Sequence, residues 1–476
     1  MKMQINGKSV EAYSGESFNI MNPATGEIID RVPKGTENDA AMAVEAASSA
    51  FSGWASTSPQ QRAGILYKAA GIVRQRKDEL AFLLTREQGK PFAESKNEIE
   101  GFANVLEYYC GLASSFHGDF IPVPQNGYSF TIKKPLGVCA AIIPWNMPAL
   151  IMAWKISPVL IAGNTLVLKP ASNTPLTNLT LASILSEAGL PPGVINIVTG
   201  PGEVVGESLV KSPQVKKISF TGEARTGKRV AELAAGGMKR VTLELGGSDP
   251  MIVCDDANLE TAVSGALRGR FYNCGQTCTA VKRLFVFESV AEEFIKKLEA
   301  SIRNLRVGNG LHENIDMGPL NNCRQWEYIK ELVADVEEKD EGRIVAGGRV
   351  PEGSAYSRGY FFEPTLVVDV PRESRLLKEE VFGPVLPIVQ VKNLEEAIEE
   401  ANNTCYGLGA SVWTKNIDRV RTGCEQLNAG IIWINQHLKV APEVPFGGTG
   451  ESGIGKENGP DALSEYLDLK TLMLKI

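Results

Sequence analysis

The chain has 476 residues, of which 43% are hydrophobic and 22% are charged, and its formal net charge at pH 7 is −7. These values are typical of a folded protein with two or three domains, and they argue against disordered, collagen-like and coiled-coil classes. The negative charge, with no run rich in lysine and arginine to offset it, argues against a nucleic-acid partner.

The eight cysteines are scattered without C-x-x-C pairs, and the N-terminal residues lack an apolar run of signal-peptide length. Both features are typical of a protein with reduced thiols that stays in the cytoplasm. The longest apolar region, residues 136–161, is interrupted by three prolines and Lys155, which favours a buried strand and helix over a membrane span. We therefore expect no membrane partner. No Cys/His/Asp cluster has metal-ligand spacing, so we expect no metal site either.

In chain order, apolar residues at three- and four-residue spacing first predict helices over residues 37–55 and 58–91. From residue 137 onwards, short apolar runs typical of buried strands follow one another, each separated by enough chain for a crossover helix. These runs cover residues 137–143, 164–170, 194–200, 215–222 and 240–247. The alternation predicts a parallel α/β sheet covered by helices.

After Gly247 the pattern begins again and predicts a second α/β unit. Its strands and helices are expected, in turn, over residues 250–255, 259–273, 280–289 and 290–305. The charged, glycine-rich residues 336–364 are interpreted as a solvated surface excursion. Residues 127–135 and 466–476 have the pattern of strands, and the terminal one needs a partner edge of the kind that another subunit often supplies.

Residues 220–229, FTGEARTGKR, nearly match the phosphate loop of an ATPase, G-x-x-x-x-G-K-[ST]. Arg229 stands in place of the hydroxyl residue that would bind Mg²⁺. Gly222 lies between a predicted strand and a predicted helix, a context that suits the phosphates of either a nucleotide or a dinucleotide. This motif alone leaves three alternatives: a triphosphatase, a dinucleotide site, or a glycine pair without a ligand.

Three other residues suit covalent catalysis. Cys278 lies in a Gly-Gln turn, NCGQTC, where a substrate could reach its thiol. Glu244 ends a predicted strand in LELGG, where burial would raise its pKa and make it a general base. Asn146, between two prolines in IIPWNMP, could donate a hydrogen bond to an oxyanion. Taken singly, each also has a plain explanation as a buried thiol, a surface glutamate and a turn asparagine.

The ordered motifs PWNMP, LKPAS, FTGE, LELGG, NCGQTC, EEVFGPV and PFGGTGESGIG together resemble the aldehyde dehydrogenase superfamily over essentially the whole chain. Overall similarity is closest to its lactaldehyde, glycolaldehyde and semialdehyde branch. The resemblance implies an α/β fold with a Rossmann-like cofactor domain, an α/β catalytic domain and a small β oligomerisation element. It assigns residues 1–117 and 136–245 to the cofactor domain, 246–449 to the catalytic domain, and 118–135 and 450–476 to the oligomerisation strands and tail.

The resemblance also implies catalytic roles. Cys278 matches the nucleophile, Asn146 and the Cys278 backbone N–H match the oxyanion donors, and Glu244 matches the base that activates water against a thioester. Acylating relatives, which pass the acyl group to coenzyme A, characteristically lack that glutamate. The expected product is therefore a free carboxylic acid, and a catalytically silent structural member of the fold is the alternative from another class.

The implied cofactor is NAD or NADP. Lys169 matches the lysine on the adenosine ribose, Glu380 and Phe382 match the residues at the nicotinamide ribose and ring, and Trp145 and Gly222 also lie on the cofactor side in relatives.

Two positions depart from the family's cofactor pattern. Ser172 replaces the glutamate that repels a 2′-phosphate in NAD-preferring members, and this favours NADP slightly. Glu223 replaces the serine of FTGS, where a carboxylate is unfavourable near a pyrophosphate unless it turns outward or pairs with Arg225 or Lys228.

Substrate choice in the family depends on a tunnel that leads to the cysteine. Here it would be lined by Met147, Trp154, Tyr272, Thr277, His437, Lys439 and Phe446. Trp154 and Phe446 would form apolar walls, and His437 and Lys439 are candidate partners for a polar or anionic tail. Succinate semialdehyde enzymes usually carry an arginine at the Tyr272 position; Arg268 and Arg270 lie nearby in sequence.

We expect a small hydroxyaldehyde or semialdehyde as substrate: lactaldehyde, glycolaldehyde, glyceraldehyde or succinate semialdehyde. An aromatic aldehyde is the alternative. The family also implies a homodimer or homotetramer. Cys274, four residues before Cys278, is interpreted either as a spectator or as a partner in a reversible disulfide that protects the nucleophile.

Overall fold

The computed structural model describes residues 1–123 and 127–475. The strands are β1 (Met3–Ile5), β2 (Lys8–Val10), β3 (Ser17–Met21), β4 (Ile28–Pro33), β5 (Phe120–Val123), β6 (Gly127–Pro135), β7 (Val138–Ile142), β8 (Thr165–Lys169), β9 (Ile195–Ile197), β10 (Val215–Thr221), β11 (Arg240–Glu244), β12 (Asp249–Val253), β13 (Val281–Phe287), β14 (Arg343–Ala346), β15 (Thr365–Val368), β16 (Val385–Val391), β17 (Gly409–Trp413), β18 (Ile431–Ile434), β19 (Gly453–Ile454) and β20 (Leu467–Leu474).

The α-helices are α1 (Glu37–Ala55), α2 (Pro59–Gln75), α3 (Lys77–Gln88), α4 (Phe92–Gly111), α5 (Pro148–Ala162), α6 (Leu176–Glu187), α7 (Glu207–Lys211), α8 (Ala224–Ala235), α9 (Leu259–Phe271), α10 (Glu288–Arg303), α11 (Cys323–Glu338), α12 (Arg375–Lys378), α13 (Leu394–Asn402), α14 (Ile417–Gln426) and α15 (Gly459–Ser464).

The first sheet has the strand order β19-β11-β10-β7-β8-β9-β1-β2. Its five central strands, from β11 to β9, are parallel, which confirms the parallel α/β sheet predicted from the sequence. Helices α2 to α6 cover one face with a buried apolar core, and α1, α7 and α8 cover the other. Because these strands are buried on both faces, their sequences are almost continuously apolar.

The second sheet has the order β14-β15-β16-β13-β12-β17-β18 and its own apolar core. All neighbours are parallel except β14 with β15. The segment 336–364 is thus more than a surface excursion, since β14 lies within it and forms the antiparallel edge of this sheet. β14 has only four residues and is flanked by charged residues and glycines, so it gives no recognisable hydrophobic pattern in the sequence.

The apolar residues 136–161 form β7 and then α5, as predicted, and none of the helices in the described ranges is long and apolar enough to cross a membrane. Ser58 caps α2, as expected: its Oγ accepts the Gln61 N–H at 3.2 Å, while Gln61 Oε1 accepts the Ser58 N–H at 2.9 Å. In the same described ranges, no group of three His, Cys, Asp or Glu side chains is arranged to hold a metal ion.

A third, three-stranded antiparallel sheet has the order β20-β6-β5. β20 pairs with β6 along its whole length, from Leu467 opposite Pro135 to Leu474 opposite Tyr128. One partner edge of the terminal strand therefore lies in its own chain.

Candidate active site

The candidate site lies where the parallel strands of the first sheet end. Asn146 follows β7, Lys169 ends β8 and Glu244 ends β11, and carboxyl ends of parallel neighbours lie at one edge of a sheet. The second unit brings Cys278 to the same edge through the loop before β13. A direct contact shows this, because Asn146 Nδ2 donates to the Gln276 carbonyl oxygen at 3.0 Å.

The turn that carries the cysteine has an unusual backbone. After α9, Asn273 and Cys274 have φ values of 52° and 58°, and Gly275 has 72°. Left-handed non-glycine residues cost about 1–3 kcal/mol each and persist only where their surroundings hold them. Here Glu94 Oε2 accepts the Asn273 N–H at 2.9 Å, and Asn273 Nδ2 donates to the Asn146 carbonyl oxygen at 2.9 Å. The turn is therefore fixed before any ligand binds.

Cys278 is half-buried and unpaired. Burial, followed by the charges of Asp249, Glu244 and Glu380, raises the pKa of its thiol to about 12, against the opposing effect of Lys282. The Lys282 ammonium donates to the Cys278 carbonyl oxygen at 2.6 Å and so holds the backbone of the nucleophile. The thiol is neutral at pH 7 and needs a base to release its proton.

Asn146 is almost fully buried, and its amide is oriented by a contact on one side. One N–H bond of Nδ2 is used for the Gln276 carbonyl oxygen, which leaves the second N–H bond of the same nitrogen for another acceptor. An amide that is fixed in this way can stabilise a developing oxyanion without reorganising.

Glu244 is buried, and neither carboxylate oxygen has a hydrogen-bond partner among the described residues. Burial and then the negative charge of Glu457 raise its pKa well above the ordinary value, with Lys155 and Lys456 acting in the opposite direction. A buried carboxylate without donors costs free energy, and such costs are typical of functional groups held ready for a proton.

The ion pair behind Glu244 was not found from the sequence. Lys155 Nζ, fully buried in the apolar helix α5, contacts Glu457 Oε1 at 2.9 Å and donates to Ser219 Oγ at 2.8 Å. A lysine in an otherwise apolar helix was the available signal, since a buried ammonium requires a buried partner.

The glycines of LELGG leave room for the side chain of Glu380. A Cβ on Gly246 would lie 2.0 Å from Glu380 Oε2, and the Gly247 N–H donates to Glu380 Oε1 at 3.2 Å. Lys282 Nζ also contacts Glu380 Oε1 at 2.9 Å, which was missed from the sequence. The Glu380 carboxylate is therefore held between the two units.

The rings of Phe382 and Trp145 meet edge to face, with centroids 5.5 Å apart. This contact joins the PWNMP turn after β7 to the loop between α12 and β16 that also carries Glu380.

Lys169, the last residue of β8, is buried, and burial lowers the pKa of its ammonium to about 8 while the charge of Glu203 opposes the shift. Its Nζ donates to the Pro170 carbonyl oxygen at 2.9 Å, which leaves two N–H bonds for ribose hydroxyls. Ser172 Oγ donates to the Gly200 carbonyl oxygen at 3.3 Å. A buried ammonium with two free N–H donors is suited to bind the ribose hydroxyls of a dinucleotide.

The ATPase-like loop is not arranged as a phosphate loop. The Gly222 N–H donates to the Glu244 carbonyl oxygen at 3.0 Å, and Lys228 is exposed on α8, where it pairs with Glu451 at 2.8 Å. Glu223 precedes α8 and lies 3.6 Å from Arg225, one of its two expected partners. The lysine that would bind phosphates in a triphosphatase therefore points elsewhere.

The sequence matches the model of the aldehyde dehydrogenase family over residues 10–472. The chain belongs to the aldehyde dehydrogenase family. It is 43% identical to retinaldehyde dehydrogenase 3 of Mus musculus over 480 residues, which cover 100% of this chain and 93% of the relative.

Solved structures agree. An NADP-dependent enzyme of E. coli superposes with a TM-score of 0.97 at 40% identity, with coverage of 100% of this chain and 98% of the other. A mutant betaine aldehyde dehydrogenase from Staphylococcus aureus, in complex with NAD+, gives 0.97 at 35% identity, with coverage of 100% and 97%. This chain is therefore an NAD(P)-dependent aldehyde dehydrogenase.

Most of the predicted tunnel residues of the dehydrogenase are apolar or enclosed. Trp154 and Phe446 are buried and pack with ring centroids 4.9 Å apart. Thr277 is buried with no partner for its hydroxyl in the described chain, and burial raises the pKa of Tyr272. Met147 packs against the core of the first sheet.

His437 does not offer a charge to a substrate, contrary to the interpretation of the sequence. One ring nitrogen, Nδ1, lies 2.9 Å from Ser411 Oγ, and the other, Nε2, lies 2.8 Å from the Thr279 carbonyl oxygen. Since a carbonyl can only accept, Nε2 carries the proton. Burial lowers the pKa of the ring to about 4, so it is neutral at pH 7. Lys439 is exposed on the same loop.

The two arginines near the tunnel differ. Arg270 is buried and donates to backbone carbonyl oxygens, among them that of Val381 at 3.0 Å. Arg268 is exposed; burial raises the pKa values of Tyr272 and Glu94, that of Glu94 to about 8, and the charge of Arg268 opposes both shifts.

Cys274 and Cys278 pack in different places. Cys274 belongs to the buried core of the second sheet, whereas Cys278 packs against the core of the first. The two thiols therefore pack against different apolar clusters, which does not favour a disulfide.

Proposed function

We propose that this dehydrogenase oxidises a small aldehyde to a carboxylic acid through a covalent intermediate on Cys278. The observation that carries the proposal is the convergence, at one sheet edge, of a half-buried thiol, an oriented amide with a spare donor and a buried carboxylate without partners.

In the first half-reaction, Cys278 Sγ forms a bond to the aldehyde carbon while the carbonyl π pair moves to oxygen. The Asn146 amide and the Cys278 backbone N–H stabilise that oxyanion. Because the thiol is neutral at pH 7, its proton must leave during attack, and Glu244 is a nearby base whose pKa is raised. A nicotinamide cofactor, which Lys169, Glu380 and Phe382 would hold, would supply the oxidant for this carbon by taking a hydride with its two electrons.

In the second half-reaction, Glu244 takes a proton from water, which attacks the thioester carbon. The carbon–sulfur bond breaks, and the acid leaves as the thiol regains a proton. Glu244 supports hydrolysis rather than transfer to coenzyme A. Its carboxylate accepts no hydrogen bond from the described residues, which leaves it available to take a proton from water.

Among substrates, we rank small hydroxyaldehydes (lactaldehyde, glycolaldehyde and glyceraldehyde) above succinate semialdehyde. A semialdehyde needs a cation for its carboxylate, and neutral His437 supplies none. Arg268 and Lys439, both exposed, are the remaining candidates.

A larger apolar or aromatic aldehyde is the second candidate. It is favoured by the Trp154–Phe446 pair and by the similarity to a retinaldehyde dehydrogenase.

For the cofactor, both NAD and NADP are proposed, with a slight preference for NADP. Ser172 supports it, because a hydroxyl tolerates a 2′-phosphate that a glutamate would repel. Related structures are described with each cofactor.

Two further parts of the proposal concern the whole protein. The division into a cofactor domain, a catalytic domain and oligomerisation strands is proposed with the boundaries given above. We also propose a homo-oligomer in the cytoplasm, the location being supported by unpaired cysteines.

The test is an aldehyde panel followed by the absorbance of reduced cofactor, with NAD+ and NADP+ in parallel. The panel includes glycolaldehyde, lactaldehyde, succinate semialdehyde and benzaldehyde. Cys278→Ala should abolish turnover. Glu244→Gln should form at most one equivalent of reduced cofactor, more slowly than the wild type because the thiol loses its base, and then stop because the thioester is no longer hydrolysed. Steady turnover by Cys278→Ala would contradict the mechanism.

A further inference from the structure

A buried ion pair lies directly behind the proposed oxyanion donor and has no role in the mechanism above. Lys90 lies between α3 and α4, and its side chain is fully buried. Its Nζ contacts Glu98 Oε2 at 2.5 Å, donates to the Asn146 carbonyl oxygen at 2.8 Å and lies 3.0 Å from Met147 Sδ. The ammonium thus joins the first helices of the chain to the PWNMP turn.

Glu98 holds the other side of this turn. Its side chain is fully buried, and its Oε1 accepts the N–H groups of Ala149 at 2.8 Å and Leu150 at 3.2 Å. These N–H groups belong to the first turn of α5, whose donors lack partners within the helix. One carboxylate therefore caps α5 and neutralises Lys90.

A closed ring of hydrogen bonds connects Lys90 to the nucleophile turn. The Asn146 carbonyl oxygen accepts from Lys90 and also from Asn273 Nδ2. The same Asn273 amide donates to the Gln276 carbonyl oxygen at 3.1 Å, which is the acceptor that orients the Asn146 side chain. Both the main chain and the side chain of Asn146 are fixed by this ring.

We propose that Lys90 is a positioning residue for the oxyanion step, acting through the Asn146 carbonyl and not through the substrate. The inference rests on the proposed function of Asn146. Two donors on one carbonyl fix the plane of the 146–147 peptide, and this plane sets the direction of the spare amide N–H bond. A displacement of about 1 Å at such a donor can cost a hundredfold in rate.

The test is a double-mutant cycle between Lys90→Met and Asn146→Ala. Methionine keeps the length of the side chain and removes the donor. The measurement is the single-turnover rate of reduced-cofactor formation with glycolaldehyde, and with benzaldehyde in a second arm. We expect Lys90→Met to slow this step by about tenfold or more, a share of the 10²–10³ that an oxyanion donor supplies. In the Asn146→Ala background it should cause no further loss.

Two further variants separate positioning from general destabilisation. Lys217 is another fully buried lysine, which donates to Thr242 Oγ1 at 2.7 Å and does not contact Asn146, and Lys217→Met is the matched control. Any loss that it causes should be the same in both backgrounds. If Lys90→Met does not fold, Lys90→Met with Glu98→Gln removes both charges and keeps an acceptor for α5, and the same result is expected of it.

Two outcomes would overturn the inference: an unchanged single-turnover rate in the Lys90 variants, or an equal loss with and without Asn146. Neither would affect the proposed function, provided that the wild type still oxidises an aldehyde and Asn146→Ala slows it. If the wild type reduces neither cofactor with any aldehyde, the proposed function itself fails.

Discussion

At the scale of single residues, Glu244 determines how the hydrolytic step should depend on pH. Its pKa is raised by burial and by Glu457, and only the ionised form can take a proton from water. Hydrolysis of the acyl-enzyme should therefore rise with pH through this raised pKa and be slow in the ordinary titration range of a carboxylate. Glu457→Gln removes the negative neighbour, so the pKa of Glu244 falls and the rise moves to lower pH.

The measurement is the rate of acyl-enzyme hydrolysis after rapid mixing at a series of pH values. Glu100→Gln serves as a control, because Glu100 pairs with Arg74 and Lys77 on the surface of α4. Its profile should match that of the wild type. A rise that stays in place, or moves to higher pH in Glu457→Gln, would show that Glu457 does not set the charge state of Glu244.

The sequence indicates the proposed catalytic groups more directly than the residues that position them. Cys278, Asn146 and Glu244 lie in short motifs, so they could be named from the chain alone. Lys155 and Glu457 are separated by 302 residues, and only the folded chain brings them together. The opposite error occurred at His437, where a polar residue on a tunnel loop was expected to face a substrate but is bound through both ring nitrogens.

At the scale of elements, the turn between α9 and Cys278 is the most constrained segment of the site. Gly275 has a φ of 72°, and a Cβ there would lie 2.2 Å from the Gly383 carbonyl oxygen. Gly275→Ala must therefore move one of two backbone segments. We expect it to lower the free energy of unfolding by about 1–3 kcal/mol and to slow reduced-cofactor formation.

Gly71→Ala provides the matched comparison. Gly71 lies inside α2, and nothing approaches within 4 Å of the Cβ that alanine would add. It should raise the free energy of unfolding by about 0.5–1 kcal/mol, because alanine loses less conformational entropy in a helix. Urea denaturation measures both variants. Equal stability of the wild type and Gly275→Ala would mean that the turn relaxes without cost.

Regular helices and strands were predicted well because the spacing of their apolar residues follows from which face is buried. All five strand runs between residues 137 and 247 appear as the parallel central strands of one sheet. The left-handed turn at Asn273 and Cys274 left no comparable pattern, since it is held by tertiary hydrogen bonds that Asn273 donates to Glu94 and to the Asn146 carbonyl oxygen. Such contacts between residues that are distant in sequence cannot be predicted from local sequence patterns.

At the scale of the whole molecule, the three-stranded sheet is the surface on which we expect a second copy to bind. Phe130 lies opposite Phe120 on β5 and opposite Leu472 on β20, so the three side chains form one row across the sheet. They are 37%, 54% and 43% exposed. A row of exposed apolar side chains on one small sheet is typical of a subunit interface.

Phe130→Lys should weaken the proposed homo-oligomer. Burying a phenylalanine contributes about 1.5–3 kcal/mol, and a two-fold interface contains each substitution twice, so the loss is about 3–6 kcal/mol per dimer. Light scattering after size-exclusion chromatography should show a smaller species at low micromolar concentration. Lys133→Ala, at an exposed polar position of the same strand, should leave the mass unchanged. An unchanged mass for Phe130→Lys would place the interface on another surface.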